Sequence, residues 1–305
     1  MIPPYIRAKD VAHLLDWNDL ADALWAGHQL AAPQISDQFL TRGADTLLSR
    51  TAWIDGFGIA VKSVTVCPEN TVQGLPSVQG AMLVFEDKTG TLEAIIDSAL
   101  VTKWKTAADS VLGARLLARP DSKRLLIVGA GVVATSLIAA YSAVFPGLEI
   151  TIWNRSRANA ENLGVKVADD LETAVRAADI ISCATLTQEP LIKGDWLHAG
   201  QHLDLIGAFT PNMREADDLA LQKARIFVDC RATTIDHIGE LMIPIASGAI
   251  KQTDVLADLY DLAAGAKGRR ADTDITLFKN GGGAHLDLMT GRKILQAWRQ
   301  VNPAA

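Results

Sequence analysis

One short segment limits this chain more than any other. Arg124-Leu-Leu-Ile-Val128 is apolar after its first residue, and Gly129-Ala130-Gly131-Val132-Val133-Ala134 follows directly, opening a helical run to Phe145. Each part of this GxGxxA pattern answers a physical need. Gly129 suits a tight turn, Gly131 lets the backbone approach a pyrophosphate, and Ala134 lets the helix pack closely on the strand. The free N–H groups at the helix start, around Val132 and Val133, favour an anion. Between a strand and a helix, with a second strand (Leu148 to Trp153) ending about 20 residues later, the pattern specifies a dinucleotide site.

The end of that second strand bears on which dinucleotide. A carboxylate there would bind a ribose 2′-hydroxyl, but the chain reads Trp153-Asn154-Arg155-Ser156-Arg157. Two guanidinium groups, an amide and a hydroxyl suit a 2′-phosphate instead. NADPH is therefore the expected cofactor, with NADH second. Further short apolar runs at Ile180–Ala184, Leu203–Gly207 and Ile226–Cys230 alternate with helix-compatible sequence. That alternation predicts an α/β fold, a Rossmann-type doubly wound parallel sheet. Thr185 and Leu186, just after Ile180–Ala184, are assigned to the same nucleotide site.

The first third reads differently. Ala8 to Leu30 has a helical apolar rhythm, Ile59 to Val66 reads as a strand, and Gly80–Phe85 and Thr91–Ile96 read as a hairpin. Ser98 to Arg119 returns to helical spacing before Pro120, and Leu286 to Val301 is an amphipathic helix that could return to this first region. The expected organisation is a smaller α+β substrate and dimerisation domain (1–119 and 286–305) beside the Rossmann domain (120–285).

Bulk properties narrow the partners. An apolar fraction of 49% and a charged fraction of 21% describe a globular chain, and a net charge of −6 offers no field for nucleic acid or an anionic membrane. Any anionic ligand must then be held by a local cationic pocket. No apolar run of about 18 residues occurs, and the start MIPPYIRAKD lacks a leader's apolar core. Cys67, Cys183 and Cys230 lie far apart without CxxC spacing, and the histidines form no metal spacing. The expectation is a cytosolic protein without a disulfide or metal.

Several motifs, in order, carry a resemblance: Gly58-Ile-Ala-Val-Lys62, Gly74-Leu-Pro-Ser-Val78, Ala94-Ile-Ile-Asp97, Thr102-Lys-Trp-Lys-Thr-Ala-Ala108, the glycine loop, Gly207-Ala-Phe-Thr-Pro-Asn-Met-Arg-Glu215 and Thr276-Leu-Phe-Lys279. Over nearly its whole length the chain resembles the ornithine cyclodeaminase/μ-crystallin family, most of all its imine-reductase branch. The resemblance implies a homodimer whose substrate carboxylate is held by cationic side chains facing the nicotinamide. The family's central lysine falls on Lys62. Among Ile59, Val61, Val64 and Val66 this lysine either points to solvent or meets an anion, since burial unpaired is costly; the motif favours the anion. The family's next arginine is replaced by Lys105, which keeps the charge and loses the bidentate fork. Its upstream arginine has two candidates here, Arg50 and Arg42. His285, after the Gly281-Gly-Gly283 run, is a candidate to lie near the nicotinamide.

The resemblance also orders the chemistries. Family cyclodeaminases carry an aspartate after the fourth Rossmann strand, where this chain reads Ala184-Thr-Leu-Thr-Gln-Glu189. Reduction of a cyclic α-imino acid needs less: a protonated C=N bond is already electrophilic, so positioning and carboxylate neutralisation suffice. The expected reaction is reduction of Δ1-pyrroline-2-carboxylate to L-proline, with the six-membered homologue giving pipecolate. Lys62 and Lys105 carry the catalytic role, with Arg50 or Arg42 assisting substrate binding. The alternatives are an ornithine cyclodeaminase or L-amino-acid dehydrogenase, and a non-catalytic NADPH-dependent binding protein.

Overall fold

The computed structural model describes residues 2–303. They form two compact units, one of residues up to Lys105 with those from Gly282 onward, the other Thr106–Gly281. The divisions fall earlier than the expected 119/120 and 285/286. The first lies inside Ser98–Leu117, which is one uninterrupted helix.

In the first unit, β1 (Tyr5–Ile6), β2 (Gln34–Arg42), β3 (Asp45–Ile54), β4 (Gly58–Val66), β5 (Val78–Phe85) and β6 (Leu92–Asp97) form one sheet, ordered β1-β6-β5-β4-β3-β2. Strands β2 to β6 pair antiparallel, and β1 joins parallel to β6. The β5–β6 hairpin and β4 were expected; the long β2–β3 hairpin was not. Strand β2 is exposed along almost its whole length, so it lacks the apolar face that marks a half-buried strand. The expected helix over Ala8–Leu30 is broken. Asp16 accepts from the N–H groups of Asn18 and Asp19 (2.8 and 3.2 Å) and starts a new helix at Trp17–His28. The helix Ala284–Val301 packs on β2 to β5 and on Trp17–His28. Its Leu286, Met289, Ile294 and Leu295 are buried, each contributing about 1.5–3 kcal/mol of apolar transfer.

The second unit is an α/β Rossmann-type fold. Strands β7 (Arg124–Val128), β8 (Glu149–Trp153), β9 (Lys166–Val167), β10 (Ile180–Cys183), β11 (His202–Leu205), β12 (Ala224–Val228), β13 (Val255–Asp258) and β14 (Ile275–Lys279) form one sheet. Its order is β13-β12-β14-β11-β10-β7-β8-β9 and every pairing is parallel. Strands β7, β10, β11 and β14 are buried on both faces; β7 and most of β10 accordingly read as apolar runs, whereas β11 and β14 also bury His202, Asp204, Thr276 and Lys279. The chain leaves β7 towards β8 and β9, then returns to place β10 on the other side of β7. That reversal makes the β7/β10 crevice the switch point, where such sheets bind ligands at their carboxyl ends. Among the described residues, no helix is long and apolar enough to cross a membrane.

Candidate active site

In the first unit, strand period decides where Lys62 goes. Along β4 the buried positions are Gly58, Ala60, Lys62 and Val64, so the lysine shares the buried face and not the open one. Its register partners are Arg50 on β3 and Met82 on β5. Two cations opposite each other on neighbouring strands repel, and the structure answers with anions. Lys62 Nζ donates to Asp287 Oδ1 at 2.6 Å. Arg50 holds Asp37 through Nε and Nη2 (3.0 and 2.7 Å) and donates from Nη1 to the Gly282 carbonyl at 2.6 Å. Lys105 donates to that same carbonyl at 2.8 Å and lies 3.7 Å from Asp287 Oδ1.

Three cations thus converge on one carboxylate and one carbonyl. Arg50, Lys62 and Lys105 against Asp37 and Asp287 leave one positive charge in excess. Burial alone would raise the Asp287 carboxyl, but the charges of Lys105, Lys62 and Arg50 outweigh it and hold it below the usual range. Its place in the first turn of Ala284–Val301 acts in the same direction. Burial pushes the Lys62 ammonium down to about 8, with Asp287 opposing and Lys105 reinforcing the shift. Asp287 Oδ2 is buried without a hydrogen-bond partner among the described residues.

Of the two candidate arginines, the structure brings only Arg50 into this cluster. Arg42 pairs with Asp45 at 2.9 Å beside the β2–β3 turn, its side chain 89% exposed. His285 is wholly buried in the first unit, edge-on to His28 with ring centroids 5.4 Å apart. Burial, then the nearby His28, Lys105 and Arg50 charges, hold its imidazole well below the usual range and so neutral. Asp287 itself was missed at the sequence level. The signal was present: Asp287, Thr290 and Ile294 share the buried stripe of an amphipathic helix, and an acid on such a stripe implies a buried cation.

The second unit carries the glycine loop as its sequence implied. Gly129 has φ +109°, and a Cβ there would lie 2.6 Å from the Ala184 carbonyl oxygen. Gly131 starts the helix Val132–Val144 with no side-chain cap, and a Cβ there would meet nothing within 4 Å. Ala134 is buried, Val132 and Leu186 are exposed, and Val133 lies between. Uncapped N–H groups beside open space fit a pyrophosphate. At the end of β8, Asn154 donates to the Ser156 carbonyl at 2.8 Å. Arg157 is tied to Glu161 (2.8 Å) and to Asp169, whereas no ion pair or hydrogen bond engages the exposed Arg155 side chain among the described residues. Thr185 is gripped by Glu215, a second acid that sequence reasoning left without a role. No group of three or more His, Cys, Asp or Glu able to hold a metal occurs among the described residues.

The ornithine cyclodeaminase/mu-crystallin family pattern matches residues 50–302. The chain belongs to that family. Among its relatives, a Delta(1)-pyrroline-2-carboxylate reductase of Paracoccus denitrificans is 53% identical over 298 residues, covering 94% of each chain. The ketimine reductase mu-crystallin of Mus musculus is 33% identical over 246 residues, covering 79% of this chain and 76% of its own. A solved Thermococcus litoralis Delta(1)-pyrroline-2-carboxylate reductase, in complex with NADH and L-proline, superposes with a TM-score of 0.89 at 26% identity and covers 98% of each chain.

Proposed function

We propose that this family member reduces a cyclic α-imino acid with NADPH, converting Δ1-pyrroline-2-carboxylate to L-proline and accepting the six-membered ring that gives L-pipecolate. The observation that carries the reading is the cluster of Arg50, Lys62 and Lys105, cationic by one charge and built into a buried face. A planar imino acid brings the missing carboxylate. Lys62 and Lys105 neutralise it, while Asp287 Oδ2 is an acceptor suited to the N–H of a protonated imine. A nicotinamide, when bound, supplies hydride to the ring carbon, and the C=N π electrons become the amine lone pair. Desolvation of the ammonium groups strengthens each of these contacts. Names and folds of the relatives support the same class of reaction.

For the nucleotide, the reading is the phosphorylated form. Strand β8 ends without a carboxylate, and Arg155 is the guanidinium left available, since Arg157 is engaged by Glu161 and Asp169. Arg155→Ser is expected to raise the Kd for NADPH about 10- to 100-fold, the range of a lost hydrogen bond to a charged group, and to leave NADH unchanged. Fluorescence titration with both nucleotides checks this; equal NADPH affinity in the variant would remove Arg155 from the site.

A second copy of the chain is the expected partner. Edge strand β2 exposes Phe39 (60%) and Leu40 (56%) in a long run, an edge that proteins otherwise protect. Light scattering is expected to give twice the chain mass, and Leu40→Lys to lower it; a monomeric parent protein would overturn this. Three free thiols accord with a reducing cytoplasm.

The test of the reaction is oxidation of NADPH, followed by its absorbance, with pyrroline-2-carboxylate and piperideine-2-carboxylate. Turnover with either ring supports the reading. Turnover only with NAD and an open-chain amino acid would replace it with a dehydrogenase.

A further inference from the structure

The glycine loop's neighbours are held by an acid that no step above uses. Glu215 is wholly buried, and among the described residues no lysine or arginine forms an ion pair with it. Its Oε1 accepts from the Thr185 N–H at 2.7 Å and the Thr185 hydroxyl at 2.9 Å, just past β10. Its Oε2 accepts from the Gly207 N–H at 2.6 Å and the Ala208 N–H at 3.4 Å, just past β11. One carboxylate therefore spans the ends of two adjacent strands. The backbone behind it is fixed as well. The N–H groups of Glu215 and Ala216 donate to the Glu240 carboxylate at 2.7 and 3.0 Å, and the Glu215 carbonyl accepts from Leu191 and Ile192, both at 2.9 Å.

The turns so joined are pressed against each other. A Cβ on Gly207 would lie 2.0 Å from the Thr185 carbonyl oxygen, and one on Gly129 would lie 2.6 Å from that of Ala184. The ends of β7, β10 and β11, consecutive in the sheet, form one stack at the switch point. A buried charge is a poor device for stability alone, because an apolar filler of the same volume does as well or better. What a carboxylate adds is two acceptor oxygens at a fixed separation, each committed to a different turn.

We propose that Glu215 is a positioning residue that sets the spacing of the Thr185 and Gly207 turns, and so the shape of the nicotinamide half of the nucleotide site. The inference rests on the nucleotide reading given above. It separates the two halves of the ligand: the adenosine phosphate end is read from β8, and the brace acts only on the other end. Glu215→Gln is nearly isosteric, but its amide nitrogen must face one turn's N–H and releases that turn.

The experiment compares NADPH with 2′,5′-ADP, which carries only the adenosine half. For Glu215→Gln the NADPH Kd is expected to rise about 10- to 100-fold, with kcat falling and the 2′,5′-ADP Kd unchanged. Equal loss of both ligands would mean a purely structural acid and overturn the proposal, as would wild-type values for both. If Glu215→Gln does not fold, Glu240→Gln decides. Burial and the Glu215 charge raise the Glu240 carboxyl, so the amide resembles its protonated form. That variant is expected to show the same ligand split with smaller amplitude. A parent protein that binds 2′,5′-ADP and NADPH keeps the nucleotide reading intact whatever the variants do; one that binds neither ends both.

Discussion

Lys62→Met is expected to lower kcat/KM for the imino acid about 10²- to 10³-fold while the Kd for NADPH stays at its parent value. The magnitude is that of removing one preorganised donor from a desolvated site, about 2.7–4 kcal/mol, and each 1.36 kcal/mol is about tenfold in rate. Here the loss falls on the substrate side, because Lys62 lies on the buried face of β4 in the first unit. Methionine keeps the length of the stem, so packing beside Ala60 and Val64 is largely retained. Steady-state kinetics with a parallel nucleotide titration read the two effects separately. Parent-like kcat/KM in a folded variant would remove Lys62 from the site.

The same residue sets a pH limit. Burial brings the Lys62 ammonium down to about 8, so the group is charged below that pH and neutral above it. Affinity for a carboxylate substrate is therefore expected to be full below pH 8 and to fall about tenfold per unit above it, as for loss of one proton. The effect belongs in KM. In Lys62→Met the slope should vanish, which distinguishes this lysine from other groups titrating in the alkaline range.

How much of this was legible before the fold was seen depends on where each residue's constraint comes from. The nucleotide half was readable because its constraints are local. Strand β7, buried on both faces, is apolar after its first residue, Gly129 serves a turn that only a residue without Cβ can make, and both lie within a few residues of each other. Arg155 and Arg157 read together in the sequence; the division between them comes from the structure, where Glu161, four residues after Arg157 at the spacing of a helical ion pair, occupies that guanidinium. The cationic cluster was less legible. Arg50 and Arg42 look equivalent along the chain, and only the β3–β4 register, closed by the turn at 55–57, sets Arg50 opposite Lys62. Asp287 is 225 residues from Lys62, and no local pattern pairs them. Glu215 was visible within a motif, but its task needs the ends of β10 and β11 side by side.

Asp287→Asn is expected to act on stability where Lys62→Met acts on the substrate. Asparagine keeps the shape and gives up the charge that faces Lys62 at 2.6 Å and Lys105 at 3.7 Å. Buried Lys62 and Lys105 and half-buried Arg50 are then left with Asp37 as the carboxylate of the cluster, and it is already committed to Arg50. A loss of about 3–5 kcal/mol corresponds to roughly 6–20 °C in Tm at about 2–4 °C per kcal/mol. The cation excess grows at the same time while the acceptor for the imine N–H loses its charge, so the KM is expected to hold and kcat to fall, and a high concentration of substrate or product should recover part of the lost Tm. A double-mutant cycle completes the argument. Lys62→Met removes one of the charges that Asp287→Asn leaves uncompensated, so the double variant should be less destabilised than the two single losses combined, by about 0.5–3 kcal/mol. Strict additivity in thermal melts would mean that the 2.6 Å contact does not couple the two residues, and that the cluster is held by the Gly282 carbonyl and Asp37 instead.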